Sequence, residues 1–306
     1  MALDMIKFKA LITGADFADG GLLNAEQATA FIDKVLSEQV TLPMINVMRM
    51  VRNGQEMDSL DIDPTQIRKH TAGQKGDSAS ITTSKRTINI GRVKIYFDID
   101  MDTLESETIL SDKKNVNGKL RAYIMNRASV AFGNGMNNLA YNGDTESANE
   151  FLQCSDGWIK YAKADAVTYD TNGSTDLMGV VFPALLKAMP FKYKKNKKII
   201  KFFVNPDDHD LYIDQLADRN DNTTDYVTGR VNPKYKGYEV VADPYIPQGT
   251  YFFTPVENLV FGIDSTGIKQ LLEVHDIAQT VETGILAKIG FQIKEADALV
   301  IGYDAA

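Results

Sequence analysis

Residues 141–162 read Tyr-Asn-Gly-Asp-Thr-Glu-Ser-Ala-Asn-Glu-Phe-Leu-Gln-Cys-Ser-Asp-Gly-Trp-Ile-Lys-Tyr-Ala, and this stretch decides the fold. An Asn-Gly-Asp turn comes first, a Phe-Leu pair follows, and an Asp-Gly dipeptide then precedes a second apolar run. Clusters of Gly, Asn and Asp mark turns between regular elements. The stretch is therefore predicted to be a junction at which a preceding helix ends and a new unit begins.

A long helical pattern leads into this junction, from Lys119 to Asn142. Its apolar side chains form one broad face, as in a helix packed on a core; they are Leu120, Tyr123, Ile124, Met125, Ala128, Ala131 and Phe132. At 1.5 Å per residue such a helix would be about 36 Å long. The segment Gly133-Asn134-Gly135 weakens its middle and could bend it.

The N-terminal segment, up to about Asn53, contains one helical pattern. Asn24 and Gln27 have the spacing of a capping box, and an apolar stripe follows at helical spacing: Ala28, Phe31, Ile32, Val35 and Leu36. This stripe is interpreted as a docking or core face. Met44 to Val51 is short, apolar and extended, so the segment is predicted to be an arm that lies against another surface.

A basic stretch from Pro64 to Lys94 predicts a long two-stranded hairpin. Asp77 is its only acid; the basic residues are Arg68, Lys69, Lys75, Lys85, Arg86, Arg92 and Lys94. The turn-rich tip spans 72–78, and the second flank ends in an alternation with Val93, Ile95, Phe97, Ile99 and Met101 on one face. Since a lone hairpin is marginal in water, it requires a partner surface, for which a second copy of the chain is a candidate.

The charge reverses between Ile95 and Asp112, where every charged residue is acidic: Asp98, Asp100, Asp102, Glu105, Glu107 and Asp112. Complementary patches on identical subunits allow head-to-tail contacts that close into rings. We therefore predict inter-subunit contacts at Arg68, Lys75, Lys85, Arg86, Arg92, Asp98, Asp100, Glu105 and Glu107. In the alternative, each charge is solvated or pairs within its own subunit.

The Asp-x-Asp-x-Asp run at 98–102 is not interpreted as a calcium loop. That loop requires a Gly next and a Glu at its twelfth position, where this chain has Thr103 and Ile109. The histidines lack a short metal-ligand spacing, and the single cysteine, Cys154, excludes an intrachain disulfide. No metal or cofactor is predicted.

The long helix that ends in Asn-Gly-Asp, followed by Phe-Leu and Asp-Gly-hydrophobic, resembles the tailed-bacteriophage major capsid protein family. The resemblance implies an α+β fold of the Hong Kong 97 type. Its parts would be an N-terminal arm (1–56), an extended hairpin loop (57–101), a peripheral domain with a long spine helix (102–150 and 266–306) and an axial domain (151–265). Later segments agree in order: a helix over 175–189, a strand over 201–204, a helix from Pro206, a polar loop over 218–225, and strands within 237–253 and 272–301.

The resemblance implies a structural protein with no enzymatic activity that assembles into hexamers and pentamers of an icosahedral shell around double-stranded DNA. It would be assembled in the cytoplasm of a bacterial host and reside in the virion. A chain that starts at Met1 leaves no room for the scaffolding extension of some members, so a separate scaffold protein is expected, together with a portal and decoration proteins. An encapsulin-type nanocompartment shell remains an alternative.

Composition agrees with a container. The 306 residues carry a net charge of −8 and a pI near 5.0, whereas a sequence reader of duplex DNA would be basic. No stretch approaches the roughly 20 apolar residues of a membrane span. A soluble enzyme with a carboxylate cleft over 98–107 is a further alternative, but no acid and base are paired at a useful spacing. The lysine run 192–201 is interpreted as a solvated loop that could contact an acidic neighbour or bind anions.

Overall fold

The computed structural model describes residues 25–51, 53–62, 81–100, 116–218, 233–264, 268–275 and 280–305. The α-helices in these ranges are α1 (Ala25–Ser37), α2 (Val116–Asn142), α3 (Trp158–Asp165), α4 (Phe182–Ala188) and α5 (Pro206–Asp218). The strands are β1 (Asn46–Met50), β2 (Gln55–Ile62), β3 (Ile81–Ile88), β4 (Gly91–Asp100), β5 (Val167–Asp170), β6 (Ile200–Val204), β7 (Lys234–Tyr235), β8 (Tyr238–Ala242), β9 (Tyr251–Pro255), β10 (Leu259–Asp264), β11 (Lys269–His275), β12 (Thr280–Ile293) and β13 (Val300–Tyr303). None of the described helices is long and apolar enough to cross a membrane.

The first sheet has five strands and is organised around the 14-residue strand β12. Strands β11 and β10 pair with successive parts of one edge of β12, and β4 pairs with the other edge, all antiparallel. Strand β1 extends the sheet by pairing in parallel with β10. In β4, Val93 is buried whereas Lys94 and Tyr96 are exposed, so the predicted alternation is confirmed for these side chains.

The second sheet has six strands in the order β5-β13-β9-β6-β8-β7. Aromatic side chains attach α4 and α5 to it: the Phe202 ring stacks on Phe253 with centroids 4.2 Å apart, and Phe182 of α4 lies 4.6 Å from Phe202. Tyr212 of α5 contacts Phe182 edge-on at 5.1 Å. Each such pair contributes about 0.5–1.5 kcal/mol beyond the burial of its area. The sheet and both helices therefore share one core.

Strands β10 and β13 each pair in a different sheet from the strand that precedes them in the chain. Strand β13 falls in the range assigned to the peripheral domain, yet it pairs with β5 and β9 of the second sheet, where Val300 and Ile301 are fully buried. Strand β10 falls in the axial range but pairs with β12 and β1. The four-part domain division itself stays a prediction.

Helix α2 runs unbroken through Gly133-Asn134-Gly135 and begins three residues earlier than the sequence pattern indicated. The N-terminal helix α1 packs against it: Phe31, Ile32 and Val35 are almost fully buried, and the Phe31 ring lies 6.3 Å from that of Phe132. The apolar stripe of the arm is therefore a core face of its own subunit.

A buried polar network fixes the chain that follows α1. The carboxylate of Asp243, which is fully buried, accepts hydrogen bonds from the Thr41 hydroxyl at 2.5 Å and from the Asn137 amide at 3.1 Å. Thr41 in turn lies 2.8 Å from the hydroxyl of Tyr141, and burial beside Asp243 raises the pKa of that tyrosine. The network joins the arm, helix α2 and the second sheet.

The predicted hairpin is confirmed, but its second strand is shorter than expected. Strands β2 and β3 pair from Gln55↔Ile88 to Ile62↔Ile81 as a separate two-stranded sheet. The sequence predicts the alternating stretch 93–101 as the end of that hairpin, whereas in the structure residues 93–100 belong to β4, which joins the first sheet. The reason is that β4 alternates apolar side chains that pack into the core of the first sheet, whereas β3 is polar between its two terminal isoleucines. The hairpin tip, 63–80, lies outside the described residues.

The helix predicted over 175–189 is present in two parts. Residues Leu177–Val181 form a π-helical turn, capped where the Asp176 carboxylate accepts from the amide of Gly179 at 2.7 Å, and α4 follows. The wider turn lets Leu177 and Val181 both reach the aromatic core of the second sheet. The polar loop predicted at 218–225 lies, after Asp218, outside the described residues.

Candidate subunit-assembly surfaces

Three acidic residues occupy one cross-strand position of the first sheet, at the end where β12 begins. Asp98 of β4 lies opposite Glu282 of β12, and Glu282 lies opposite Glu273 of β11. We call these three residues the carboxylate row. Like charges directly opposite one another on neighbouring strands are destabilising. A cationic partner would relieve that repulsion.

Tyr96 lies beside the carboxylate row and is 56% exposed. Its hydroxyl is hydrogen-bonded to Glu282 and to Asp98, and these bonds, the one to Glu282 above all, raise the pKa of the tyrosine. The Tyr96 hydroxyl therefore stays protonated beside the two carboxylates. Asp100, the next predicted contact along β4, lies opposite Thr280 at the start of β12.

Lys85, a predicted inter-subunit contact, forms ion pairs inside the hairpin. Its ammonium lies 3.1 Å from Glu56 and 3.9 Å from Asp58, which is its register partner on β2. The hydrogen bond to Glu56 raises the pKa of Lys85. All three side chains are exposed, so these pairs resemble surface ion pairs, which contribute little to stability. Lys85 therefore already has acidic neighbours in its own subunit.

Arg86 is more deeply engaged. Its side chain is 20% exposed and its guanidinium lies 2.9 Å from the carboxylate of Asp165 at the end of α3. A second nitrogen lies 3.5 Å from Oε1 of Gln292 on β12. Arg86 therefore connects the hairpin to two elements of its own subunit, as the alternative of pairing within one subunit foresaw for this residue.

The remaining predicted contacts are dispersed. Arg92 is exposed on β4 and lies opposite Lys288, which pairs with Asp264 at 2.8 Å. The residues that lie outside the described ranges are Arg68, Lys75, Glu105 and Glu107. The structure therefore brings together Asp98, Asp100 and the start of β12, and the pairing of the nine residues between copies stays a prediction.

A polar contact at the base of the hairpin was not foreseen from the sequence. Glu295, just after β12, accepts a hydrogen bond from the Ser59 hydroxyl of β2 at 2.6 Å and another from the Tyr193 hydroxyl at 2.8 Å. Partial burial, together with the bond to Glu295, raises the pKa of Tyr193 to about 12. One carboxylate therefore joins the hairpin to the second sheet's periphery. No sequence pattern links residues so far apart in the chain.

Strand β12 also contacts the hairpin base directly. The Gln292 amide donates to the carbonyl of Thr87 at 3.2 Å. At Gly290 a Cβ would lie only 2.0 Å from the carbonyl oxygen of Asn89, so the backbones could not approach in this way with any other residue. The base of the hairpin is consequently held in one position beside the end of β12.

The junction between helices α2 and α3 is a close crossing of two glycines, Gly143 and Gly157. The amide of Gly157 donates to the carbonyl of Gly143 at 2.8 Å. A Cβ on Gly143 would lie 2.1 Å from the carbonyl of Ser155, and one on Gly157 would lie 2.7 Å from the Gly143 nitrogen. Both glycines are thus required for the turn after α2 to pack on the start of α3.

Lys160 closes this crossing electrostatically. Its ammonium lies 2.7 Å from Asp144 and 2.8 Å from Asp156. The hydrogen bond from Lys160 lowers the pKa of Asp144, and both carboxylates raise the pKa of Lys160. Asp156 also accepts from the Thr145 amide at 2.9 Å. The Asn-Gly-Asp and Asp-Gly motifs are therefore two halves of one structural unit.

No group of histidine, cysteine and carboxylate side chains among the described residues could hold a metal ion. His209 has Asp210 at 3.7 Å near the start of α5, and His70 lies outside the described ranges. Asp98, the carboxylate of the region 98–107 whose side chain the structure describes, is exposed on β4. The geometry favours a contact surface over a catalytic site.

Comparison with known proteins places this arrangement in context. No protein-family model matches the chain. A curated relative, the putative prophage capsid protein YqbE of Bacillus subtilis (strain 168), is 27% identical over 224 residues, which cover 71% of this chain and 68% of that protein.

Solved structures share the fold over nearly the whole chain. The satellite phage P4 procapsid including its size determination (Sid) protein matches with a TM-score of 0.62 at 14% identity, covering 90% of this chain and 98% of that one. Gordonia phage Cozz matches with a TM-score of 0.59 at 11% identity over 88% of this chain and 87% of that one. A virus-like particle from Pyrococcus furiosus matches with a TM-score of 0.53 at 12% identity, over 90% and 97% of the two chains.

Proposed function

We propose that this chain, a structural capsid protein with the Hong Kong 97-type fold, assembles through its hairpin and carboxylate row into rings of five and six subunits that close into an icosahedral shell. The fold agrees with phage capsids and procapsids over most of the chain, and the curated relative is a prophage capsid protein. The relative favours a virion capsid over an encapsulin-type compartment. The observation that carries the assembly step is the carboxylate row.

The carboxylate row and the base of the hairpin lie at opposite ends of β12 in one subunit. Along β12, Glu282 lies opposite Asp98, whereas Gln292 contacts Thr87 and Arg86 of the hairpin. The hairpin therefore leaves the sheet at the far end of β12 from the row. Glu282 and Gln292 are ten residues apart on β12, which corresponds to roughly 33 Å at about 3.3 Å per residue.

A basic hairpin that extends away from its own acidic surface can reach the same surface on a neighbour. From Pro64 to Ile88 the tip and second strand of the hairpin hold five basic residues and one acid, whereas the first strand, β2, carries three acids. Docking it on the carboxylate row of the next copy joins two different patches, which is the head-to-tail geometry that closes into rings. Complementary potentials would also set the register of that contact.

The partners follow from this role. A separate scaffold protein, a portal and decoration proteins would act with the subunit, and the closed shell would enclose double-stranded DNA without sequence readout. Assembly would take place in the cytoplasm of the bacterial host, and the finished protein would reside in the virion.

Electron microscopy in negative stain, combined with light scattering, tests the proposal on the purified chain with and without its genomic neighbours. Closed shells, tubes or rings of five and six subunits are expected. A monodisperse monomer or dimer at high concentration, with a candidate scaffold present, would refute the proposal and return attention to a soluble enzyme.

A further inference from the structure

A lysine-rich surface lies at one edge of the second sheet. We define it by the lysines of two segments: Lys192, Lys194, Lys195, Lys197 and Lys198 before β6, and Lys234 and Lys236 around the turn between β7 and β8. Between Leu177 and Pro206 the chain has no acidic residue. In a chain with a net charge of −8, this is a pronounced local reversal.

The two segments form one surface because a lysine side chain of the first segment contacts the backbone and an aromatic ring of the second. The ammonium of Lys197 donates to the backbone carbonyl of Lys236 at 3.1 Å and lies 5.3 Å from the centre of the Tyr238 ring. Lys236 lies 5.1 Å from the centre of the Tyr235 ring. Cation–π contacts of this kind contribute about 0.5–1 kcal/mol at exposed sites, so the charges are partly positioned in advance. Phe191, beside them, is 83% exposed.

Most of the acidic side chains that border the surface are already engaged. Glu239 pairs with Lys201 at 3.0 Å, and Glu295 accepts from Tyr193 and Ser59. Glu257 is exposed near Ile199, whose carbonyl accepts from the adjacent Val256 amide. Among the residues that the structure describes here, one exposed acid beside seven lysines leaves a strong positive excess.

We propose that this lysine-rich surface binds the phosphate backbone of double-stranded nucleic acid inside the shell. Lysine ammonium groups on flexible stems bind phosphates as point charges. Here they are spread along a loop and a turn instead of converging on a pocket, and phosphate contacts of that kind carry no sequence information. The inference rests on the proposed function, and it assigns to a defined surface the contact with the enclosed DNA.

A second copy's acidic surface is the competing occupant. The carboxylate row is only three strands wide, and the basic hairpin suffices to neutralise it. Seven lysines over two segments exceed what that row could balance, whereas duplex DNA offers one phosphate charge per about 1.7 Å of its axis. The observations therefore favour nucleic acid.

Fluorescence anisotropy on unassembled full-length subunits, with labelled duplex DNA of random sequence, tests the proposal over a series of salt concentrations. The triple variant Lys194→Gln, Lys195→Gln, Lys198→Gln should weaken binding at least tenfold and flatten the dependence of log Kd on log salt by about 2 to 3. The control triple Lys94→Gln, Lys163→Gln, Lys269→Gln removes the same charge from exposed positions elsewhere and should bind like the unmodified chain.

The second part of the experiment separates this proposal from the assembly proposal. The 194/195/198 triple variant should form the same closed shells as the unmodified chain in the absence of DNA, as seen by electron microscopy. Preassembled closed shells should not bind long duplex DNA added from outside. Three results would each overturn the inference: equal DNA binding by the two triple variants, a loss of shells by the 194/195/198 variant without DNA, or strong DNA binding by closed shells. Failure of the unmodified chain to assemble would count against the proposed function alone.

Discussion

Gly133 and Gly135 lie two residues apart in helix α2, and their different surroundings show how position decides the effect of a residue. A Cβ on Gly133 would lie 3.0 Å from the Gln39 side chain and 3.2 Å from the carbonyl of Val35. A Cβ on Gly135 would meet only Phe151, at the ordinary contact distance of 3.7 Å. Gly133 therefore permits the close approach of the arm, whereas Gly135 has no such neighbour.

Alanine substitutions should separate these roles. Gly135→Ala should raise the free energy of unfolding by about 0.5–1 kcal/mol, because glycine inside a helix is that much less favourable than alanine. Gly133→Ala should lower it by about 1–3 kcal/mol, the usual cost of overpacking, since α1 must move. Urea unfolding of the unassembled subunit measures both. Stabilisation by both substitutions would show that α1 does not pack on α2 as described.

At the scale of elements, the hairpin is held at its base by several polar contacts to the rest of the subunit. Arg86 reaches Asp165 on α3, and Ser59 reaches Glu295 after β12. Lys85, the neighbour of Arg86 in sequence, forms ion pairs within the described residues to Glu56 and Asp58 of the hairpin's own strand β2. Successive residues of β3 point to opposite faces, so one binds the subunit and the other remains on the hairpin surface.

Charge reversal at the two positions should therefore have different consequences. Arg86→Glu should speed hydrogen exchange of the β2 and β3 amides at least tenfold, because a half-buried acid would face Asp165. Adding Asp165→Arg should restore most of the protection, whereas Lys85→Glu alone should change it little. Hydrogen exchange followed by mass spectrometry reports this on the unassembled subunit. Equal effects of the two single reversals would contradict the assigned role of Arg86.

The same scale shows what sequence patterns can and cannot predict about elements. The stripe Phe31, Ile32 and Val35 and the alternation in β4 predicted buried faces correctly, because local period is encoded in the residues themselves. The division between β3 and β4 was not predicted, because it depends on tertiary pairing: β4 joins β12 in the first sheet, whereas β3 pairs with β2. The bond between Ser59 and Glu295 joins residues far apart in the chain, and no local pattern encodes it.

At the scale of the whole molecule, the order of the predicted helices, turns and strands along the chain was enough to predict the fold, because that order matches the order of elements in the capsid fold. Which residues meet across elements was not predictable. The carboxylate row exists only because β4 and β11 flank β12 in a register that aligns Asp98, Glu282 and Glu273. Two of those three residues lie outside the acidic stretch that the sequence indicated. The register between β4, β12 and β11 is set by tertiary pairing, which no local sequence pattern encodes.

The carboxylate row also predicts opposite effects on folding and on assembly. Asp98→Asn with Glu282→Gln should leave the unassembled subunit as stable as before, or up to about 0.5 kcal/mol more stable, because repulsion between opposing strands is removed. The same variant should form shells at least tenfold more slowly at low salt, since the neighbour's hairpin loses its acidic partner. The difference should shrink at high salt, where exposed charges are screened.

A control double variant, Asp214→Asn with Asp218→Asn, removes an equal charge from exposed positions on α5 and should assemble at the unmodified rate. Light scattering during assembly, with unfolding curves of the same preparations, measures both effects; if the two double variants assemble equally fast, the row is not the surface on which the hairpin docks.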